Sequence, residues 1–324
     1  MRSRLYVAVV IVGSGVIVEA QRPTDWTQWR GPARDGVIAS FTPPPIWPEA
    51  LVKRWTVEIG IGYATPIVVG DRVYQFSRIG ENETMTAFDA GSGAVLWQGG
   101  YPAEFTMNNV AAAHGKGPKS TPAFFDNRLY SIGMTGTVTA WDAASGKPLW
   151  QKPGDPGNVP VTTTHAFSPL VEGGSVIFHL GGDSKGALTA FDLISGAEKW
   201  KWTGDGPGYG SPVMSEVAGE RQLVTMTQGK IVGLEASTGA LRWERPFVGP
   251  AKTNAMTPVV WNGIVIVSGS GSPSVAFTIG RTGTQWSTET IWENTIFECP
   301  IPTRSLPETR WSACRSVTAA VRRR

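Results

Sequence analysis

The sequence predicts an all-β fold, a β-propeller of four-stranded antiparallel blades with about five recognisable repeats in an incomplete ring. An eleven-residue phrase, A-F-D-A-G-S-G-A-V-L-W in its first copy, occurs four times and closes at Trp97, Trp150, Trp200 and Trp243. The copies follow one another at steps of 53, 50 and 43 residues. A period of this length, filled with short apolar runs and glycine turns, is typical of propellers and related repeat arrays.

One repeat, residues 120–151, illustrates why four strands are expected in each blade. Short apolar runs alternate with turns of the Asp-Asn or glycine type, and this pattern predicts antiparallel hairpins. The last run carries the closing tryptophan and is expected at the outer edge of the sheet. The four expected strands are 121–125, 128–132, 137–142 and 147–151.

The recurring residues of the phrase have mechanical roles. The aspartate is expected to accept backbone N–H bonds at the hairpin tip, and the glycine to supply the positive φ of the turn. The tryptophan is expected to pack between neighbouring blades and to protect the outer edge. Glutamate replaces the aspartate in the fourth copy. The structural residues of the repeats are Asp89, Gly93 and Trp97; Asp142, Gly146 and Trp150; Asp192, Gly196 and Trp200; and Glu235, Gly239 and Trp243.

The repeat pattern extends beyond the four phrases in both directions. Residues 53–56 resemble the end of an earlier copy, and residues 64–69 open the first complete blade. A fifth copy begins at Thr257 and ends at Trp292 in a longer variant, after which the pattern stops at about residue 295. A half-blade at the start suits a ring that closes by donating its N-terminal strand to the last blade.

The two ends differ from the body in composition. Residues 1–20 have a basic start, an apolar run and a V-E-A site before Gln21, a pattern that predicts a secretory signal peptide. Its cleavage would make the protein periplasmic or secreted and leave no membrane-spanning segment. Residues 295–324 are rich in arginine and form a non-repeat tail. They are interpreted as an out-of-frame segment in a truncated propeller, with a genuine flexible C-terminus as the alternative.

Charge and cysteine content restrict the function classes. The net charge is +3, but residues 295–324 contribute +4 and residues 1–20 contribute +1, so the body of 21–294 carries −2. A mildly acidic body gives no electrostatic basis for nucleic-acid binding. The two cysteines, Cys299 and Cys314, both lie in the tail, so the body has no cysteine for a disulfide, a thiolate–metal site or a nucleophile. No metal site is predicted.

The phrase resembles the signature A-x-D-x-x-[TS]-G-x-x-x-W of the pyrroloquinoline-quinone-like (PQQ-like) β-propeller repeat family. The first three copies match it and the fourth departs at Gly233 and Glu235. The opening W-T-Q-W-R-G-P at 26–32, followed by R-D-G at 34–36, is similar to the start of exported bacterial members. The segments 114–122 and 204–207 look like further marks of that subgroup.

The resemblance implies two functional alternatives. Quinoprotein alcohol and sugar dehydrogenases of this family bind the quinone on the propeller axis with Ca²⁺ and use a vicinal cysteine pair. This sequence has no adjacent cysteines and no position that can be matched with the calcium ligands. The resemblance therefore favours the non-catalytic exported type, with no cofactor expected. A quinone-dependent dehydrogenase, or a fragment of one, with PQQ and calcium remains the alternative, and a pseudogene product without function is a third.

A ligand is expected where the long connections between blades gather on one face. Amines and imidazoles there would suit an anionic group such as a carboxylate, a quinone or a sugar acid. These residues are otherwise ordinary solvated loop residues, and His179 is interpreted as a packed histidine in a strand. The expected partner is a protein, a glycan or a small molecule. The candidate binding residues are Asn109, His114, Lys116, Lys119, His165, Tyr209, Lys252 and Asn254.

Overall fold

The structure, a computed structural model, describes most of the repeat region. The residues described are 22, 24–38, 40–107, 109–161, 164–183, 185–249, 253–269 and 271–295. The predicted signal peptide, the predicted tail from 296 onward and the candidate residue Lys252 lie outside these residues.

Twenty strands in the described residues form five four-stranded antiparallel sheets, each with its strands in chain order. The predicted all-β fold with five repeats of four strands is confirmed. Blade 1 contains β1 (Ile67–Val69), β2 (Arg72–Ile79), β3 (Asn82–Asp89) and β4 (Val95–Pro102). Blade 2 contains β5 (Ala123–Phe125), β6 (Arg128–Ile132), β7 (Val138–Asp142) and β8 (Pro148–Lys152). Blade 3 contains β9 (Leu170–Glu172), β10 (Ser175–Leu180), β11 (Ala187–Asp192) and β12 (Glu198–Trp202).

The remaining two blades follow the same order. Blade 4 contains β13 (Val213–Val217), β14 (Glu220–Met226), β15 (Lys230–Glu235) and β16 (Leu241–Pro246). Blade 5 contains β17 (Val259–Trp261), β18 (Ile264–Gly269), β19 (Ser272–Thr282) and β20 (Gln285–Asn294). A short 3₁₀ helix at Asn109–His114 lies in the connection between blades 1 and 2.

The first strands of the blades lie side by side at the centre of the array. Contacts join β1 to β5, β5 to β9, and β13 to β17. A chain of hydroxyl groups connects the blades just before these strands. The backbone N–H of Thr65 donates to Oγ1 of Thr121, and the N–H of Thr121 donates to Oγ of Ser168, each at 3.0 Å. The N–H of Ser168 donates to Oγ of Ser211, also at 3.0 Å. The Ser/Thr-Pro pair that begins each of blades 2, 3 and 4 therefore joins that blade to its predecessor.

The apolar core of the described blades lies between the sheets, in clusters that adjacent blades share. Phe76 and Met85 of blade 1 pack with Leu129 and Trp141 of blade 2 in one buried cluster. Three further clusters join blades 2 and 3, blades 3 and 4, and blades 4 and 5. Each cluster spans a pair of adjacent blades, so the repeats are stabilised mainly through their interfaces.

The tryptophans that close the first three copies dock on the turn of the following blade. The indole N–H of Trp97 donates to the carbonyl oxygen of Ala143 at 3.1 Å, and its ring lies against Gly146. A Cβ at Gly146 would come 2.3 Å from Cε3 of that ring, so the position requires glycine for space as well as for its φ of +72°. The same contact is made by Trp55 on Ala90, Trp150 on Leu193 and Trp200 on Ala236, each at 3.0 Å.

The turns that receive these tryptophans are built as the sequence predicts in the first three copies. Oδ1 of Asp142 accepts the backbone N–H of Ser145 at 2.7 Å, and Asp89 and Asp192 make the equivalent bond. In the fourth copy the longer Glu235 accepts hydroxyl protons from Ser237 and Thr238 instead. The recurring glycines have positive φ angles: Gly93 +75°, Gly146 +72°, Gly196 +66° and Gly239 +71°.

Blade 5 departs from the other blades at its last hairpin. Trp292 pairs with Ala276, as Trp97 pairs with Ala87 in blade 1, so it is the closing tryptophan of the fifth copy. However, β19 and β20 continue as a ladder to the turn at Gly283 and do not form the aspartate turn. Trp292 remains 39% exposed at the outer strand of this blade.

Candidate functional site

The connections between blades and the turns between the second and third strands share one end of the array, because the strands alternate in direction. We call this end the upper end. Asn254, in the connection before blade 5, shows how closely these loops are joined. Its buried side-chain amide donates to the carbonyl oxygens of Thr227 and Phe247, each at 2.8 Å, and its main-chain carbonyl oxygen accepts the N–H of Tyr209 at 2.8 Å. Asn254 and Tyr209 therefore hold the loops in place from inside the protein.

His165 lies beneath the same surface and is 1% exposed. Its Nδ1 is 3.3 Å from the carbonyl oxygen of Met134, so Nδ1 is assigned as the donor and Nε2 as an acceptor. Burial lowers the pKa of His165 to about 4, which keeps the ring neutral at pH 7. His179 is also buried, its pKa is lowered to about 4 by burial, and its Nε2 is 3.2 Å from the carbonyl oxygen of Asp205. His179 thus occupies the packed position in a strand that the sequence predicts.

Two further candidates, Lys119 and His114, lie beside Tyr63, which is 59% exposed. The Lys119 ammonium lies over the ring of Tyr63, 5.6 Å from its centroid, and the half-buried His114 meets the ring edge-on at 6.4 Å. Burial lowers the pKa of Lys119 to about 8, with Glu83 opposing the change. Asn109 is exposed and Lys116 half-buried on the same connection. The described candidates thus divide into a group on the connection between blades 1 and 2, where His114 and Lys119 contact Tyr63, and a buried group that supports the loops.

A buried carboxylate that the sequence analysis did not identify lies next to Lys119. Glu83 is fully buried; one oxygen accepts the backbone N–H of Met134 and the other the hydroxyl of Tyr101, each at 2.7 Å. Burial raises its pKa, while these two bonds and the charges of Arg78 and Lys119 oppose the rise. Glu83 joins blade 1 to a turn of blade 2. In the sequence it lies in an ordinary polar strand, N-E-T-M-T, in which it is the one charged residue. That charge is the only feature from which its buried position could have been predicted.

A groove of about 400 Å³ lies between blades 2 and 3 at this end of the array. Lys185 and Lys201 contribute its amines, Asp155 and Asn158 its other long polar side chains, and four glycines part of its wall. One of these glycines, Gly136, lies against His165: a Cβ there would be 3.0 Å from Cε1 of the ring. The groove is a place where a small polar or anionic group could be held. None of the predicted binding residues that the structure describes lines it directly.

The central space bordered by the first strands holds the segment of residues 24–36, which we call the axial segment. Its lower part runs along blade 1, where Asp25 Oδ1 accepts the N–H of Gly70 at 2.9 Å and Trp26 forms an antiparallel bridge with Val68. The carbonyl oxygen of Thr27 then accepts the N–H of Phe124 in β5 at 2.8 Å. The segment therefore pairs with the inner strands of blades 1 and 2.

The upper part of the axial segment reaches blades 3 and 5. The guanidinium of Arg34 donates to the carbonyl oxygens of Pro169 at 2.8 Å and Ser168 at 3.1 Å, immediately before β9. The indole N–H of Trp29 donates to Oγ1 of Thr257, immediately before β17, at 3.1 Å. Arg34 is 3% exposed, and burial, followed by the charge of Arg30, lowers its pKa. The motif W-T-Q-W-R-G-P-x-R-D-G thus supplies contacts to four of the five blades.

A quinone with Ca²⁺ does not fit this arrangement. In the enzymes that the sequence resembles, the quinone lies on the propeller axis, and here the axial segment crosses that space. The buried guanidinium of Arg34, with Arg30 close by, would repel a divalent cation at the upper end. The described residues contain no group of three or more His, Cys, Asp or Glu side chains that could hold a metal ion.

Comparison with known proteins agrees with the repeat pattern. A family profile described as "Outer membrane protein assembly factor BamB" matches residues 81–301, about two thirds of the chain. The chain belongs to this PQQ_2 family. The matched residues include all four copies of the phrase and the whole of blade 5.

The individual relatives have low sequence identity to this chain and are longer than it. The outer membrane protein assembly factor BamB of Kangiella koreensis is 28% identical over 158 residues, which are 49% of this chain and 37% of that protein. The crystal structure of BamB from Moraxella catarrhalis is 19% identical, with a TM-score of 0.49 over 74% of this chain and 62% of that one. Quinohemoprotein alcohol dehydrogenase from Comamonas testosteroni is 18% identical, with a TM-score of 0.43 over 71% and 43% of the two chains. The chain spans less than two thirds of the length of each of these proteins.

No helix among the described residues has the length and apolar character needed to cross a membrane.

Proposed function

We propose that this protein is an exported, non-catalytic β-propeller scaffold that binds a protein partner in the assembly of outer membrane proteins. The family to which the chain belongs is described by that role. The predicted signal peptide of residues 1–20 supports a periplasmic location, where such assembly takes place. The loops at the upper end, with the aromatic and basic group around Tyr63 and the groove between blades 2 and 3, offer the binding surface.

The observation that carries the non-catalytic part of the proposal is the occupied axis. Hydrogen bonds from residues 24–36 to blades 1, 2, 3 and 5 use the space where a quinone would lie. Catalysis by a bound quinone would require the segment to leave and two buried polar contacts of Arg34 to be broken. A scaffold that binds its partner through the loops at the upper end has no such requirement.

The alternative, a quinone-dependent dehydrogenase, is tested directly. The purified protein is mixed with PQQ and Ca²⁺, passed over a desalting column and examined for the quinone absorbance and for dye reduction with alcohols and sugars. The proposal predicts no retained chromophore and no reduction above a boiled control. A stoichiometric chromophore with dye reduction would establish the dehydrogenase and remove the proposed scaffold role.

The assembly role is tested in the source bacterium. Deletion of the gene is expected to lower the amount of folded β-barrel protein in the outer membrane, measured as the heat-modifiable fraction on gels. Expression of the wild-type gene is expected to restore it, and a variant with Tyr63→Ala and Lys119→Ala is expected to restore it less. A control variant, Lys147→Ala, changes a residue at the opposite end of blade 2 and should restore it fully. Unchanged folding of outer membrane proteins after deletion would contradict the assembly role.

A further inference from the structure

We propose that the axial segment is a peptide clamp: the central space of the propeller is a binding site for an extended peptide, and the chain's own residues 24–36 are its ligand. The clamp holds together blades that are distant in sequence. The clamp acts within the propeller, whatever external partner the protein binds.

The contacts of the axial segment are distributed as expected for a clamp that holds several blades together, and not as expected for a loop that contacts one blade. Consecutive parts of the segment bind different blades: Trp26 binds Val68 of blade 1, and Trp29 binds Thr257 at the start of blade 5. Trp29 and Trp26 are three residues apart, yet their partners are 189 residues apart in the chain. The segment therefore links the first and the fifth described blades by hydrogen bonds.

Thr257 shows how the clamp continues the contacts between blades. In blades 2, 3 and 4 the equivalent hydroxyl accepts a backbone N–H from the preceding blade, as Thr121 accepts that of Thr65. In blade 5 the hydroxyl of Thr257 accepts the indole N–H of Trp29. At blade 5 the axial segment thus binds the same type of hydroxyl group that joins blades 1 to 4 to one another.

Arg34 provides the strongest single attachment. Its side chain is buried and donates to two consecutive main-chain carbonyls, those of Ser168 and Pro169, as well as to the side-chain oxygen of Gln28. Hydrogen bonds from a charged donor are stronger than those between neutral groups. Only the planar guanidinium presents several donors in a fixed fork, so lysine cannot reproduce the arrangement. The ligand that this site recognises is accordingly a peptide with spaced tryptophans followed by an arginine.

The segment after the clamp makes a direct experiment possible. Residues 42–50 are exposed throughout, so a protease recognition sequence can be inserted between Pro44 and Pro45 in the full-length protein. Cleavage of the folded protein converts the clamp into a separate peptide without removing any contact. The clamp predicts that the peptide co-elutes with the body in gel filtration and is retained after dilution.

Matched variants separate specific attachment from incidental contact. Arg34→Ala and Arg34→Lys are each expected to release the cleaved peptide at least tenfold faster than the wild type. Ala33→Ser, at an exposed neighbouring position, is expected to behave as the wild type. Release of the wild-type peptide as fast as that of Arg34→Ala, or no difference between Arg34→Ala and Ala33→Ser, would overturn the proposal.

Hydrogen exchange in the uncut protein gives a second readout that does not need cleavage. In the Arg34→Ala variant the amides of Val68 and Phe124, which pair with the segment in blades 1 and 2, are expected to exchange at least tenfold faster. The amide of Leu234, within the β14–β15 ladder of blade 4, serves as the reference and is expected to change little. Unchanged exchange at Val68 and Phe124 would show that the segment rests on the blades without holding them, and the clamp would be wrong.

Discussion

The indole of Trp243 fills the space above Gly233 in its own blade and donates its N–H to Oε1 of Gln222 at 2.8 Å. A Cβ at Gly233 would lie 2.2 Å from Nε1 of that indole. The first three copies have alanine at this position, and their tryptophans dock on the turn of the next blade instead. The departure of the fourth phrase from the family signature therefore accompanies a different environment: blade 5 lacks the aspartate turn, and Trp243 packs edge-on against Phe277 of that blade.

Replacement of Gly233 by alanine is expected to destabilise the protein by about 3 kcal/mol, because the indole must leave a buried position. Gly91→Ala is the control, since a Cβ there would meet its nearest neighbour at 3.4 Å. Urea unfolding followed by circular dichroism measures both. A Gly233→Ala variant as stable as Gly91→Ala would show that Trp243 has another position of equal free energy.

The docking of tryptophan on glycine between blades is tested at Gly146. Gly146→Ala introduces a clash with Trp97 and strain from a φ of +72°, while Gly263→Ala introduces the same φ of +72° with no atom within 4 Å of the new Cβ. Strain alone costs about 1 kcal/mol, so Gly263→Ala is expected to lose about that amount. Gly146→Ala is expected to lose at least ~2 kcal/mol more, as measured by thermal and urea unfolding. Equal losses in the two variants would mean that the contact with Trp97 is not tight.

The two buried histidines predict a loss of stability in mild acid. Their pKa values fall from 6.5 to about 4 on folding because burial disfavours the charged ring. The unfolded chain therefore binds more protons than the folded one between pH 6.5 and pH 4, and the free energy of unfolding falls as the pH is lowered through this range. Each histidine accounts for about 3 kcal/mol at most.

His165→Gln tests the size of this effect. The variant is expected to lose about half of the dependence on pH between 6.5 and 4, whatever its stability at pH 7. Urea midpoints at half-unit steps of pH give the slopes. A variant with the wild-type slope would show that His165 is not neutral in the folded protein.

Glu83 predicts a dependence of the opposite sign. Burial raises its pKa above the ordinary 4.5, so its contribution to stability is present below that pH and is lost as the pH rises through its higher value in the folded state. Glu83→Gln removes this titration and keeps an acceptor for the N–H of Met134. Glu83→Ala leaves the buried N–H of Met134 and hydroxyl of Tyr101 without their acceptor, and is expected to cost about 2–4 kcal/mol.

Stability measured from pH 4 to pH 8 distinguishes the two variants. The difference between wild type and Glu83→Gln is expected to shift in favour of the glutamine variant as the pH rises above 4.5. A constant difference across this range would contradict the raised pKa. Glu83→Ala is expected to be the less stable variant at every pH.

The blades could be predicted from the sequence because their determinants are local. The aspartate, the glycine of positive φ and the closing tryptophan lie within one phrase, and their turn geometry follows from residues adjacent in the chain. The prediction that residues 53–56 belong to an earlier copy is supported by Trp55, which docks on Ala90 as the other tryptophans dock. The candidate binding residues were less informative, because polarity in a loop does not show burial. Lys119 and His114 both contact the exposed Tyr63, whereas His165, Tyr209 and Asn254 lie inside.

By itself, the sequence determined the repeating unit, its four strands and its family, since each depends on the order of side chains along a short stretch of chain. Only the tertiary structure decided which groups from different blades meet: Glu83 with Met134, Trp243 with Phe277, and Arg34 with Ser168. These contacts join residues between 34 and 134 positions apart. Their free energy comes from burial and hydrogen bonding that exist after the blades have packed, and no local pattern records that arrangement.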